Sequence, residues 1–192
     1  AQSEWARERL AKIDTNRSID IRLQGWEEFD EPVDRIVSIG AFEAFKVERY
    51  PVFFERAYSI LPEGGGRMLL HTILAHTQQF FRENNIKLTL SDLKFMKFIG
   101  DEIFPGGRLP AVEDIEKLAD DSGFTLARTH LLRPHYARTL DMWAANLEAA
   151  KDEAIAMQGQ EVYDRYMKYL TGCADFFRRG ITNIGQFTLV KG

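Results

Sequence analysis

Four side chains in this sequence have the chemistry to move a proton or hold an anion: the carboxylate of Glu43, the imidazole of His71, the phenol of Tyr136 and the thiol of Cys173. Glu43 comes just after the β-branched run VDRIVSI (33–39), which suits a buried parallel strand ended by Gly40. Open α/β sheets bind their ligands at the C-terminal edge of such strands. Taken alone, Glu43 still reads first as a solvated loop carboxylate, the usual state of glutamate. His71 lies inside the apolar run LLHTI (69–73), where a lone histidine is more often a hydrogen-bonded core residue than a catalyst. Tyr136 opens a helical stretch, where most tyrosines pack with a wet hydroxyl. Cys173, in YLTGCADFF, reads by default as a small buried hydrophobe.

Other chemistries leave no trace. The four histidines (His71, His76, His130 and His135) form no HxxxH or HExxH pair, and one cysteine cannot build a zinc site or an intrachain disulfide. No GxSxG elbow and no Walker-type GxxxxGK[ST] occurs. The glycine run 64–66 falls between a helix and a strand, so it reads as a turn and not as a phosphate cradle. A net charge of −4 argues against a general nucleic-acid binder, which needs a basic stripe. No apolar run approaches membrane-spanning length, and the first residues lack the pattern of a signal peptide. A single cysteine fits a reducing compartment, and a cytoplasmic location is expected.

The elements that must position these groups follow the beat of an α/β protein. Helical spacing is expected over 4–13, 49–61, 111–121, 136–157 and 161–177, with an apolar-faced lid or inserted helix over 93–104. Strands are expected over 19–23, 33–39, 67–74, 125–131 and 186–190. The 192 residues suit one domain with a buried core.

The segments LQGWEEF (23–29), EPVDRIVSIGAFE (31–43), LLHTI (69–73), IFPGGRLP (103–110), RPHYARTLDMW (133–143) and VYDRYMKYLTGCADFF (162–177) follow one another in the order and spacing of a known family. Over essentially the whole chain the sequence resembles the mycolic acid and cyclopropane fatty acid synthases, which depend on S-adenosylmethionine. The resemblance implies a Rossmann-like class I methyltransferase sheet with helices on both faces and an inserted helical region that binds an acyl chain. It implies cofactor contacts from Gln2, from Trp26 and Glu27 beside the adenine, and from Ile39 and Gly40 near the reaction centre. It assigns Glu43, His71 and Tyr136 to a site that holds bicarbonate as a base, and Cys173 to the position often regarded as active-site. The implied substrate is a long-chain acyl group, presented by an acyl carrier protein. Arg178, Arg179 and Lys168 are candidates for docking that acidic carrier, and also read as helix-ending cations that favour the helix dipole.

The sequence departs from the family pattern in two places. The glycine-rich cofactor loop and the segment before it are absent, and there is no initiator Met, so further polypeptide with strands and helices is expected upstream. The family usually reads EHFGHERY where this chain reads EAFKVERY (43–50), a form that resembles the UmaA-type branch. The expected product is therefore a cyclopropane or a methyl branch, with hydroxylation of the same cation as a further outcome. A catalytically silent lipid-binding or interaction homologue is the competing expectation.

Overall fold

The computed structural model describes residues 2–192 of a chain that divides into two compact units, 1–31 and 32–192. The first unit holds helix α1 (Gln2–Leu10) and a one-turn 3-10 helix, Trp26–Glu28. The strand expected over 19–23 is not formed. Its alternation is real, but a strand exists only where its backbone groups pair with a neighbour. Among the described residues none runs alongside; Leu23 is exposed, and the Ile21 carbonyl accepts from the Arg7 guanidinium at 2.7 Å.

The second unit is built on a mixed sheet of order β1-β2-β4-β3, where β1 is Arg35–Ile39, β2 Arg67–Leu74, β3 Phe124–Leu131 and β4 Asn183–Lys191. Strands β1 and β2 run parallel, joined through α2 (Tyr50–Ile60), while β4 lies antiparallel to both β2 and β3. Alternation along β2 sends Met68, Leu70, Thr72 and Leu74 to one face, where all are buried. On that side α2 brings Phe54 and Tyr58 edge-on to Phe124, and α5 (Val112–Asp121) packs on β3. The opposite face carries His71 and Ile73, and there Ile73 and Ile184 meet a core of Leu140, Leu170, Ala174 and Phe177. Those residues come from α6 (Arg133–Ala149) and α8 (Gln160–Arg179). Helices thus cover both faces, as expected.

The long helix expected over 136–157 is two helices. The chain leaves helical geometry at Ala150 (φ −102, ψ 22), and α7 (Lys151–Gln158) follows. Two short helices precede α5. Helix α3 (Gln78–Glu83) is capped by the Thr77 hydroxyl, and α4 (Leu90–Phe98) continues into a π-helical turn, Ile99–Ile103. The glycine run is a turn, with Gly64 and Gly65 at φ of 70 and 124. Their amides donate to the carbonyls of Gly192 and Lys191, which ties the turn to the end of β4.

Candidate active site

Glu43 sits in a one-turn helix, Phe42–Ala44, just past the C-terminal end of β1. Strand β1 pairs with β2 as far as Ile39, opposite His71, and the Gly40 amide donates to the His71 carbonyl. The next amide of β2 on that side is Ile73, two residues on. It donates to Glu43 Oε1 at 2.6 Å, so a side-chain carboxylate takes the place of the missing strand backbone. Glu43 Oε2 is buried and has no hydrogen-bond partner among the described residues. A buried carboxylate oxygen left without a donor is costly, and its place beside the sheet edge makes it the focus of the site.

His71 and Tyr136 both feel this charge. Burial pulls the His71 imidazole below its ordinary 6.5, while the Glu43 charge acts in the opposite direction. Near neutral pH the ring is uncharged and keeps one N–H to donate. Burial raises the Tyr136 phenol, with the Glu43 charge and Cys173 adding to it, so Tyr136 keeps its proton as a donor. The Tyr136 ring is fixed edge-on against Phe177, at 5.0 Å between centroids, and against Trp143 at 6.2 Å. Cys173 packs at the margin of the same apolar core, and burial pushes its thiol up to about 12. It is a thiol at any ordinary pH and a poor base.

The Glu43 charge thus acts on both His71 and Tyr136, and Tyr136 is influenced in turn by Cys173, while Ile39 and Gly40 end β1 just before the Glu43 turn. Gly40 has a φ of 63, and a side chain there would meet nothing within 4 Å; Ile39 beside it is 66% exposed. Gln2, the first residue of α1, and Trp26 and Glu27, in the 3-10 turn, belong to the 1–31 unit.

The sequence reading did not single out two further residues. Tyr169 lies one helical turn before Cys173 and titrates upward through burial, with Cys173 and Tyr136 as its next influences. The i,i+4 spacing from Cys173 along an apolar stripe was the available signal. Tyr50, at the start of α2, stacks on Phe42 with ring centroids 4.1 Å apart; it closes the octapeptide EAFKVERY (43–50), where it matches the family's EHFGHERY without a role assigned to it.

The three docking candidates are each engaged within the chain. Arg178 pairs with Asp141, Arg179 pairs with both Asp92 and Asp175, and the Lys168 ammonium lies 3.7 Å from the Phe98 ring centroid. Among the described residues no cluster of side chains suits a metal ion, and no helix is long and apolar enough to cross a membrane.

The pattern of the family described as mycolic acid cyclopropane synthetase matches residues 1–187. The chain is 63% identical over 190 residues to the S-adenosylmethionine-dependent methyltransferase UmaA of Mycobacterium tuberculosis, covering 99% of this chain and 66% of that protein. The solved cyclopropane synthase MmaA2 of Mycobacterium tuberculosis superposes with a TM-score of 0.96 at 52% identity, covering 99% of this chain and 66% of that one. The mycolic acid cyclopropane synthase CmaA1, solved with SAH and CTAB, gives 0.92 at 50% identity with the same shares. The chain thus spans just under two thirds of the relatives it matches. Its fold is that of the class I methyltransferases among them, and the chain belongs to the mycolic acid cyclopropane synthetase family.

Proposed function

We propose that the protein transfers a methyl group from S-adenosylmethionine to a double bond of a long-chain, mycolic-type acyl substrate, giving a cyclopropane or methyl-branched product. The observation that carries this reading is the half-satisfied carboxylate of Glu43, held by the Ile73 amide, whose charge acts on His71 and Tyr136. When bound, S-adenosylmethionine supplies an electrophilic methyl that an alkene can attack, and bicarbonate supplies a base for the proton of the resulting cation.

The residues fit bicarbonate by donor and acceptor count. Glu43 Oε2 needs a donor, which the O–H of a protonated oxyanion provides. The neutral His71 ring and the protonated Tyr136 hydroxyl are donors for its remaining oxygens. Cys173 and Tyr169 form an apolar wall that excludes water from a cation. In the 1–31 unit, Trp26 and Glu27 are assigned to the adenine of the cofactor and Gln2 to a further contact; in the 32–192 unit, Ile39 and Gly40 are assigned to the reaction-centre end of the cofactor. An acyl carrier protein presents the substrate in the cytoplasm.

Glu43→Gln keeps the shape of the side chain and its bond from Ile73, and loses the charge. A charge-assisted hydrogen bond is worth roughly 1.5–3 kcal/mol, so turnover on an unsaturated acyl substrate should fall by at least about tenfold. Affinity for S-adenosylhomocysteine, measured by calorimetry on the full-length protein, should hold. Trp26→Ala should reverse the pattern. Full turnover with unaltered product in Glu43→Gln would defeat the assignment.

A further inference from the structure

We infer that Tyr50 is a positioning residue for Glu43, acting through the strap 104–110 that closes over the Glu43 turn. The inference deepens the function proposed above and rests on Glu43 being the anchor of the base site.

A carboxylate with one oxygen unsatisfied gains little from its own contacts, so its position must come from the backbone that carries it. Two attachments fix that backbone. The Phe42 ring is fully buried and stacks on the Tyr50 ring, which pins the residue just before Glu43. The Glu43 carbonyl accepts from the Arg108 amide at 3.2 Å. Tyr50 then joins the two attachments, because its hydroxyl donates to the Arg108 carbonyl at 2.8 Å. Ring stack, hydroxyl and strap form a closed circuit around Glu43, in which Tyr50 is buried and Arg108 takes part through both its amide and its carbonyl.

The strap is anchored on both sides of Arg108. Downstream, Pro110 is fully buried and its carbonyl accepts from the Ala75 amide at 3.0 Å, two residues past Ile73. Upstream, the Gly107 amide donates to the Phe104 carbonyl at 3.0 Å. A side chain on Gly107 would come within 3.3 Å of that carbonyl and 3.5 Å of the Glu43 carbonyl, so the strap lies against the Glu43 turn. Phe104 packs edge-on against Tyr169, with ring centroids 5.7 Å apart. Tyr169 in turn feels the charge states of Tyr136 and Cys173. The strap therefore spans from the carboxylate to the donor side of the site.

Tyr50→Phe separates the two functions of the residue, since it keeps the stack on Phe42 and deletes the bond to the strap. In the full-length protein, amide hydrogen exchange at Ile73 reports the Glu43 carboxylate directly, and exchange at Arg108 reports the strap. Both should quicken by about three- to tenfold, the size of one neutral hydrogen bond. The bicarbonate concentration for half-maximal turnover should rise by a similar factor, with KM for S-adenosylmethionine unchanged. Loss of global stability alone would not produce that split. Gly107→Ala, whose methyl crowds the Phe104 carbonyl at 3.3 Å and so loosens the strap without touching Tyr50, should quicken exchange at Ile73 as well, and decides the matter if Tyr50→Phe does not fold. Unchanged exchange at both amides overturns the positioning inference whatever the turnover shows. Faster exchange at Ile73, with wild-type turnover indifferent to bicarbonate, upholds the positioning and overturns the base assigned to Glu43.

Discussion

Asp92 and Glu43 are both acidic side chains drawn out of solvent in the 32–192 unit, and the structure treats them in opposite ways. Asp92, in the first turn of α4, is 4% exposed and fully satisfied. It accepts from the Thr89 amide and hydroxyl in a capping box, and from both terminal nitrogens of Arg179, at 2.7 and 2.8 Å. Those bonds fasten α4 to the end of α8. Glu43 has a single bond from Ile73 and one buried oxygen with none. The saturated carboxylate belongs to architecture, and the unsaturated one is where, in the function proposed above, a ligand completes the structure.

The largest expected effect comes from breaking the saturated side. Asp92→Ala removes the cap and leaves Arg179 without its buried partner, at a cost of about 2–3 kcal/mol, kept below the fully buried range because Arg179 is partly exposed. Denaturant midpoints of the full-length protein should show the loss, while turnover per folded molecule stays near wild type. Glu43→Gln is the mirror image, with turnover reduced at least about tenfold and a midpoint close to wild type.

Acid should separate the two regions next. Burial holds His71 and His76 below 6.5 in the folded state, so the unfolded chain binds protons more readily there. Their contribution to stability is present above 6.5 and is lost as pH falls through the lowered folded values. The Arg179 bonds hold Asp92 well below its ordinary 3.8, so its contribution persists until pH drops below 3.8. Hydrogen exchange followed against pH should show protection failing around β2 first and at the α4–α8 junction only in stronger acid. His71→Gln should flatten the upper part of that profile. The smallest effect is expected at Arg178, whose pair with Asp141 is solvent-exposed. Arg178→Ala should match wild type in stability and in carrier-dependent turnover; a clear loss of turnover would restore that face as the docking surface.

Much of this frame was legible in the residues, and the failures have physical causes. The bounds of β2 follow from its largely apolar run after the glycine turn, and those of α2 and α5 fall within one residue of the expected spans because turn residues flank them. The strand expected over 19–23 fails because alternation specifies a face and not a partner. The break at Ala150 carries no glycine or proline, and the π-helical turn at 99–103 has no sequence signature. At the site, Glu43 and His71 each looked ordinary alone and acquired roles only through resemblance. Their coupling depends on where β1 stops relative to β2, a matter of register. Tyr50 matches the family octapeptide, but its role was not legible because its hydroxyl reaches a carbonyl 58 residues away.

Strand β4 follows the other three strands in the chain, yet it lies between β2 and β3. During synthesis β2 and β3 must wait, each with an unpaired edge, until residues 183–191 emerge from the ribosome. The Lys191 ammonium then closes the unit: it bonds the carbonyls of Tyr58 and Leu61 at 3.0 and 2.9 Å, and so joins the final strand to the end of α2. Contacts this distant in sequence form late and slowly. The nascent chain therefore has a long interval in which two open edges can recruit other chains, and its yield in a cell should depend on chaperones that shield them.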